Sequence, residues 1–301
     1  MKGACGSDYE FLRNLVFNRS QNVLDPSRDY LFDTQLTKIL RNQGICRIEE
    51  LVRYLKSRSD PALERDIAEA MTINETSFFR DCRPFDLLRT DLLPRLIEAR
   101  RQSRCLHFWS AACSSGQEAY SLAMTIREHF SILAGWDIRI EGTDICADVV
   151  ERAREGRYHR IEINRGLPAR FIVRYFDRSG EDWVIKPEIK RMCYFRQANL
   201  CAPQFPFARA TDRFDIIFLR NVMLYFSPET RRALLARMFQ LLEPDGILIL
   251  GTSEQPADLS LWNSVIAGGT CYFSKRQSSA PQQASERSCK TPEVILCRSL
   301  S

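Results

Sequence analysis

Histidine is scarce in this 301-residue chain: His107, His129 and His159 are the whole supply. No CxxC pair accompanies them and no finger-type Cys/His spacing occurs, so no metal site is expected. Long apolar runs are missing too. No segment approaches the ~20 residues that span a bilayer, and the N-terminus carries no long apolar stretch. The expectation is a soluble, cytoplasmic protein without direct membrane insertion. There is no GxGxxG and no internal repeat. Neither sign of charge dominates: 43 Lys/Arg face 38 Asp/Glu, and residues 1–81 hold 12 basic against 13 acidic side chains. A mild excess with no aromatic–basic patch speaks against a nucleic-acid partner. Cysteine, by contrast, is plentiful. Its eleven copies are dispersed and odd in number, which reads as reduced thiols rather than a disulfide framework.

What is present falls into two grammars. From Tyr9 to about Ala70, apolar residues recur at three- and four-residue spacing, with breaks at Asp25-Pro26, Gly44 and Asp60-Pro61. This predicts a small helical domain over 1–81. A helix from Phe85 to Arg101 then reads as a connector within 82–104. From Cys105 strands alternate with helices: CLHFWSAA (105–112), DIRIEGTD (137–144), FDIIFLRN (214–221), GILILG (246–251) after an EPDG turn, and TCYFSK (270–275). Alternation of this kind predicts an α/β domain with a parallel, doubly wound sheet over 105–275. Its ligand belongs outside the carboxyl ends of the strands. Residues 174–195 look like a small β insertion. The Ser/Gln/Pro-rich end, 276–301, is expected to be disordered.

Polar residues gather at those strand ends. WSAACSSGQEAYS (109–121) offers small residues and a helix N-terminus where a ligand can approach the backbone. Glu118 there is either a ligand contact or the partner of Ser115 in a capping box. Asp144 ends the second strand, where an acid can accept both hydroxyls of a ribose or cap the next helix. Asn199-Leu200 could hold an adenine edge, or Asn199 could close an Asx turn. Arg220 and Asn221 end a buried strand, with Tyr225 close behind, and GTSE (251–254) is expected on the same rim. Together these describe a nucleoside with a short zwitterionic arm, as in S-adenosylmethionine.

The segments NETSFFRD, WSAACSSGQEAYS, GTDI, RGLPARFIVRYF, ANL, FLRNVMLYF and EPDGILILGTSE, in this order and spacing, resemble the CheR family of chemotaxis receptor methyltransferases over roughly residues 10–275. NxTxFFR with RNxxxYF carries the specificity; the strand pattern alone fits any class I methyltransferase. The resemblance implies transfer of the methyl of S-adenosylmethionine, leaving S-adenosylhomocysteine, to glutamates on the cytoplasmic domains of chemoreceptors (methyl-accepting chemotaxis proteins). It implies that Asn74, Thr76 and Arg80 reach the cofactor from the helical side. Glu118 would take the methionine amine, Asp144 the ribose, and Asn199-Leu200 the adenine region. Arg220 and Asn221 would line the pocket, with Arg80 and Tyr225 at the reacting centre. Glutamate is ionised at pH 7 and a sulfonium methyl is already electrophilic, so alignment and water exclusion are the main requirements. Arg80 suits orientation, because its planar fork can hold a carboxylate bidentately. Phe78 and Phe79 are expected to anchor their segment between the two domains, while Glu75 has no assigned role.

Three departures stand out. Leu219 replaces a Cys usual in the family, and Thr252 replaces a His. The helix read over 30–44, arginine-rich in well-known members, keeps only Lys38 and Arg41 beside Asp33. The loop from Asp177 to Trp183, seven residues, is shorter than in members that grip a receptor's C-terminal peptide. Independence from such a tether is therefore expected. The competing readings are a carboxyl methyltransferase acting on another signalling protein and a non-catalytic cofactor-binding regulator.

Overall fold

The computed structural model of the chain describes residues 6–205, 207, 213–256 and 258–276; of the expected disordered tail, everything after Arg276 lies outside them. Five helices come first: α1 (Gly6–Ser20), α2 (Tyr30–Gln35), α3 (Thr37–Asn42), α4 (Ile48–Ser57) and α5 (Pro61–Ala70). In α4 the buried positions are Ile48, Leu51, Val52 and Leu55, one stripe of a 3.6-residue helix. Asp60 caps α5 by accepting the Leu63 N–H, with Pro61 at the first helical position. These faces close on Leu12, Val16, Phe32, Leu36 and Ile67 as a core of their own. The single helix expected over 30–44 is two short ones meeting at buried Leu36. The Thr34 and Thr37 hydroxyls bond the Leu31 and Asp33 carbonyls there, competing with the main chain.

The main sheet has seven strands: β1 (Cys105–Ala111), β2 (Asp137–Asp144), β6 (Cys193–Gln197), β7 (Phe214–Leu219), β8 (Leu242–Leu250), β9 (Trp262–Ala267) and β10 (Thr270–Lys275). Their order is β6-β2-β1-β7-β8-β10-β9. The first five are parallel, and the chain order reverses between β1 and β7. This is the doubly wound architecture expected, with two corrections. β10 runs antiparallel to β8, and β9 is an added strand, paired to β10 through Gly268 and Gly269. Both glycines have positive φ, 56° and 72°, as a tight hairpin turn requires. The EPDG turn is instead a bulge inside β8: Phe214 pairs with Leu242, but Ile216 pairs with Ile247. Helices α8 (Gln117–His129), α9 (Ala147–Glu155) and α13 (Pro228–Leu241) cross over between strands. Every residue of α8 from Gln117 to Ile126 is buried.

The expected connecting helix is broken, and it packs into the core of the sheet. It starts as α6 (Arg83–Leu87), passes through a π-helical turn at Leu88–Leu92 and ends as α7 (Leu93–Ala99). Pro94 has no N–H to return to the preceding turn, and the π turn lies just before it. Phe85, Leu88, Leu92 and Leu96 are buried in the sheet's main core. The β insertion also has different bounds. It is a separate antiparallel sheet of β3 (Arg157–His159), β5 (Asp182–Ile185) and β4 (Phe176–Ser179), in that order. It starts earlier than expected, and Cys193–Phe195 belong to β6. Three short helices lie between these strands and β6: α10 (Arg160–Asn164), α11 (Ala169–Tyr175) and α12 (Pro187–Lys190).

Arg100 clips the lower end of the sheet. Its Nε donates to buried Asp215 at 2.8 Å, and its two terminal nitrogens reach Asp245 at 3.0 and 2.5 Å. That bidentate bond holds the Asp245 carboxyl below its usual pKa of 3.8, against partial burial. A depressed acid pKa contributes stability above the unfolded value, and the contribution disappears as the pH falls through the folded one. Half of Asp245 is exposed, so solvent discounts the pair. Asp245→Asn should therefore cost no more than about 1 kcal/mol at pH 7. The gap to the parent should close below pH 3.8 in urea melts at both pH values.

Candidate active site

A cleft of about 880 Å³, counting its mouth, opens beyond the carboxyl ends of β1, β2, β6 and β7. Asn74, Thr76, Arg80, Glu118, Asp144, Asn199, Leu200, Arg220, Asn221 and Tyr225 all line it. The sequence expectation thus converges on one cavity at the sheet's switch point. Three loops that furnish it hold six of the eight non-glycine residues with positive φ among the described residues: Phe79, Asp81, Cys82, Ala112, Ser114 and Asn221. Strain of this kind costs about 1–3 kcal/mol a residue and persists where surrounding contacts over-determine the backbone.

Arg220 ties the site together. Its side chain is 2% exposed. One terminal nitrogen donates to Glu118 at 2.8 Å; the other donates to Asp81 at 2.7 Å and to the Arg80 carbonyl at 2.8 Å. The guanidinium also sits 5.9 Å from the Phe85 ring centre. Nε is buried with no protein partner. Glu118 in turn accepts from the Ser110 hydroxyl at 2.7 Å. The capping reading of Glu118 does not hold: α8 starts behind Gly116 at φ 92°, and the Ser115 hydroxyl turns to Gln117. A Cβ at Gly116 would also meet Ala153 at 2.9 Å.

Asp144 is not the cap of α9 either. Its two oxygens accept the Ser114 N–H at 2.8 Å and the Cys146 N–H at 3.1 Å. Burial raises its pKa against the pull of both donors. Asn199 does close an Asx turn, to the Cys201 N–H, and donates its amide to the Arg19 carbonyl of α1. Its side chain is thus engaged by protein at the cleft wall. Tyr225 ends a 3-10 turn, and its carbonyl accepts the Val23 N–H at 2.8 Å. Burial raises its pKa, so it stays a phenol at neutral pH.

The TINETSFFRD stretch crosses the cleft mouth. Phe78, fully buried, packs edge-on against Tyr158 and Phe176, and Phe79 against Phe85 and Phe171. All four partners belong to the sheet domain and its insertion. The expected wedge between two domains is therefore an anchor into one, because the rings find their aromatic neighbours there. Gly166 of RGLPARF, φ 91°, lies where a Cβ would strike the Phe78 carbonyl. Glu75, without a role in the sequence reading, pairs with Arg165 at 2.5 Å and gives its carbonyl to Arg80 at 2.9 Å.

Other residues escaped the sequence reading. Asp81, next to Arg80, is one. GTSE, expected on the rim, does not line the cleft; its Glu254 instead accepts four main-chain N–H groups, from Asn221, Met223, Leu224 and Gly251. Its signal was an acid just past the end of β8. The helical unit also contributes Ser20 and Asn22 to the cleft, and Asn22 bridges Phe226 as an isolated strand pair. Only the three-dimensional arrangement reveals those two. Glu69 on α5 completes the seam by accepting from the Ala147 N–H and the Gln197 amide.

A family model described as CheR methyltransferase, SAM binding domain, matches residues 74–270. Chemotaxis protein methyltransferase 1 of Pseudomonas aeruginosa is 38% identical over 255 residues, covering 83% of this chain and 91% of its own. Chemotaxis protein methyltransferase Cher2 of Pseudomonas putida is 36% identical over 82% and 90%. The chemotaxis protein methyltransferase of Vibrio parahaemolyticus is 36% identical over 84% and 92%.

Glu254→Gln places an NH₂ against main-chain donors that now meet a carboxylate oxygen. A loss of about 1–3 kcal/mol is expected, because buried donors are left without an acceptor. Chemical denaturation measures it. An unchanged midpoint would mean that Glu254 does not hold the 221–225 turn.

Proposed function

Because the chain belongs to the CheR methyltransferase family, with S-adenosylmethionine as its cofactor, we propose that it methylates glutamate side chains on the cytoplasmic domains of membrane chemoreceptors. The products are glutamate methyl esters, and the protein acts in the cytoplasm. The observation that carries this reading is the meeting, in one cleft, of the helical-side residues Asn74, Thr76 and Arg80 with the strand-end residues. No helix among the described residues is long and apolar enough to cross a membrane, which fits a catalyst that visits the receptor's cytoplasmic part.

The cleft suits the cofactor in charge and in shape. Glu75, Glu118 and Asp144 face Arg80 and Arg220, three carboxylates against two guanidinium groups, one net negative charge. A ligand with a sulfonium, an ammonium and a carboxylate carries one net positive charge. Arg220 Nε, buried and unpartnered, is a donor waiting for an acceptor. Glu118 would hold the methionine amine with the lone pairs left by Ser110 and Arg220. Asp144 would hold the ribose hydroxyls in the same way. The Asn199–Leu200 segment would border the adenine through its backbone and Leu200, and Asn74, Thr76 and Asn221 would close the sides. When bound, S-adenosylmethionine supplies a methyl carbon that is already electrophilic.

The remaining work falls to Arg80 and Tyr225. Arg80 is steered by the Glu75 carbonyl and can present its fork to an incoming carboxylate; Tyr225 can donate one hydrogen bond. Binding the glutamate anion too tightly would blunt its attack, so Arg80 serves orientation more than neutralisation. The β4–β5 hairpin turns at Gly180 and Glu181 alone, which supports independence from a receptor tethering peptide. Docking through α2 and α3 has little charge to use, since Lys38 and Arg41 are the only basic side chains they carry.

Two measurements test this. Incubation with labelled cofactor and purified receptor cytoplasmic domains should give base-labile label on mapped glutamates, and Arg80→Ala should abolish it while the protein still folds. Label appearing only on another signalling protein would replace the receptor assignment, and full activity in Arg80→Ala would refute the mechanism. Removing the receptor's C-terminal tail should leave the rate unchanged; a loss beyond about tenfold would show that tethering contributes effective concentration.

A further inference from the structure

The opposite end of the sheet carries a cluster that methyl transfer does not use. Cys105 and His107 sit two residues apart on β1, so both side chains leave the same face of the strand. Asp137 opens β2 directly beside Cys105 in the parallel register. One donor atom from each of the three lies within 4.8 Å of the others. Cys105 and His107 are half-buried and Asp137 is exposed, so solvent reaches the cluster.

The imidazole is prepared for a ligand's role. His107 Nδ1 lies 3.3 Å from the Arg213 carbonyl, and a carbonyl can only accept, so the ring proton belongs on Nδ1. Nε2 is left with its lone pair facing Cys105 Sγ at 3.4 Å. The His107 main chain is held as well, through its N–H to Asp215, which Arg100 grips in turn. A tetrahedral ion with Zn–S of about 2.3 Å and Zn–N of about 2.0 Å sets its sulfur and nitrogen about 3.5 Å apart. The observed separation matches. Asp137 is paired with Arg139 at 3.2 Å, both half exposed, and such a pair costs little to rearrange.

We propose that Cys105, His107 and Asp137 form a three-ligand site for a zinc-type divalent ion, with water in the fourth position. Thiolate, imidazole and carboxylate together select such an ion over magnesium or calcium. On binding, the Cys105 thiol gives its proton to solvent. The expectation that no metal is held rested on loop spacings such as CxxC; a strand brings donors together at a spacing of two instead. The site ties β1 to β2 at the end remote from the cofactor, so it bears on the sheet's stability and leaves the cleft alone.

Titration of untagged protein with Co²⁺ tests the assignment. One equivalent should produce a thiolate-to-cobalt charge-transfer band with intense d–d bands typical of tetrahedral geometry, and Zn²⁺ should displace it. Cys105→Ser should erase the charge-transfer band, and His107→Gln and Asp137→Asn should weaken binding by more than about tenfold. Circular dichroism and S-adenosylmethionine binding serve as folding controls; if the β1 variants fail them, exposed Asp137→Asn decides. Absence of the band, or a band that survives Cys105→Ser because the exposed Cys46, Cys82 or Cys271 supplies the thiolate, overturns the proposal. So does cobalt affinity unchanged in Asp137→Asn.

Discussion

One buried guanidinium organises this molecule. Arg220 leaves the end of β7 and grips Glu118 from α8 and Asp81 from the segment that crosses the cleft mouth. Two parts of the chain, each more than a hundred residues from Arg220 in sequence, are referenced to its single planar group. Breaking such a pair from one side leaves a charge buried without compensation, at a cost of about 3–5 kcal/mol. Its value here is positional as much as energetic. The backbone carbonyl of Arg80 is held by the same group, so the position of Arg80 at the cleft follows from the position of Arg220.

Much of this was legible in the sequence, for identifiable reasons. The central strands β1, β7 and β8 carry buried apolar runs, and polar residues at strand ends are out of place unless a ligand meets them there. That contrast singled out Glu118, Asp144, Arg220 and Asn221, which line one cleft. What stayed hidden was set by partners distant in sequence. Nothing local marks Asn22 as the strand partner of Phe226, or Arg19 as the residue whose carbonyl occupies Asn199. β9 shows no strict alternation, with Asn263 and Ser264 side by side and most of its residues facing outward, so its pattern is weak. The direction of Phe78 and Phe79 was misjudged because two adjacent rings fit any apolar wall. The wall was decided by Tyr158, Phe171 and Phe176 in the insertion.

The insertion therefore has a structural duty besides any role towards receptors. Its rings seat the FF pair, and Gly166 lets the chain pass against the Phe78 carbonyl. Glu75 and Arg165 fasten the same two segments from outside. A change in the insertion thus reaches the cleft lining through packing alone.

The helical unit relates differently to the rest. Its core, from Leu12 to Met71, merges with neither core that flanks the sheet. It meets the sheet domain through polar seams: Glu69 with Ala147 and Gln197, Asn199 with Arg19, Ser114 with the Asn74 carbonyl. Two units joined this way have little reason to melt together. A molecule lodged between them binds only the assembled form and so couples their unfolding, in proportion to its concentration over its dissociation constant. A ligand held in that cleft is then mortar as well as reagent. A helical unit released from a filled seam would loosen while the sheet stays folded, so proteolysis within its helices, α1 to α5, would report how full that seam is.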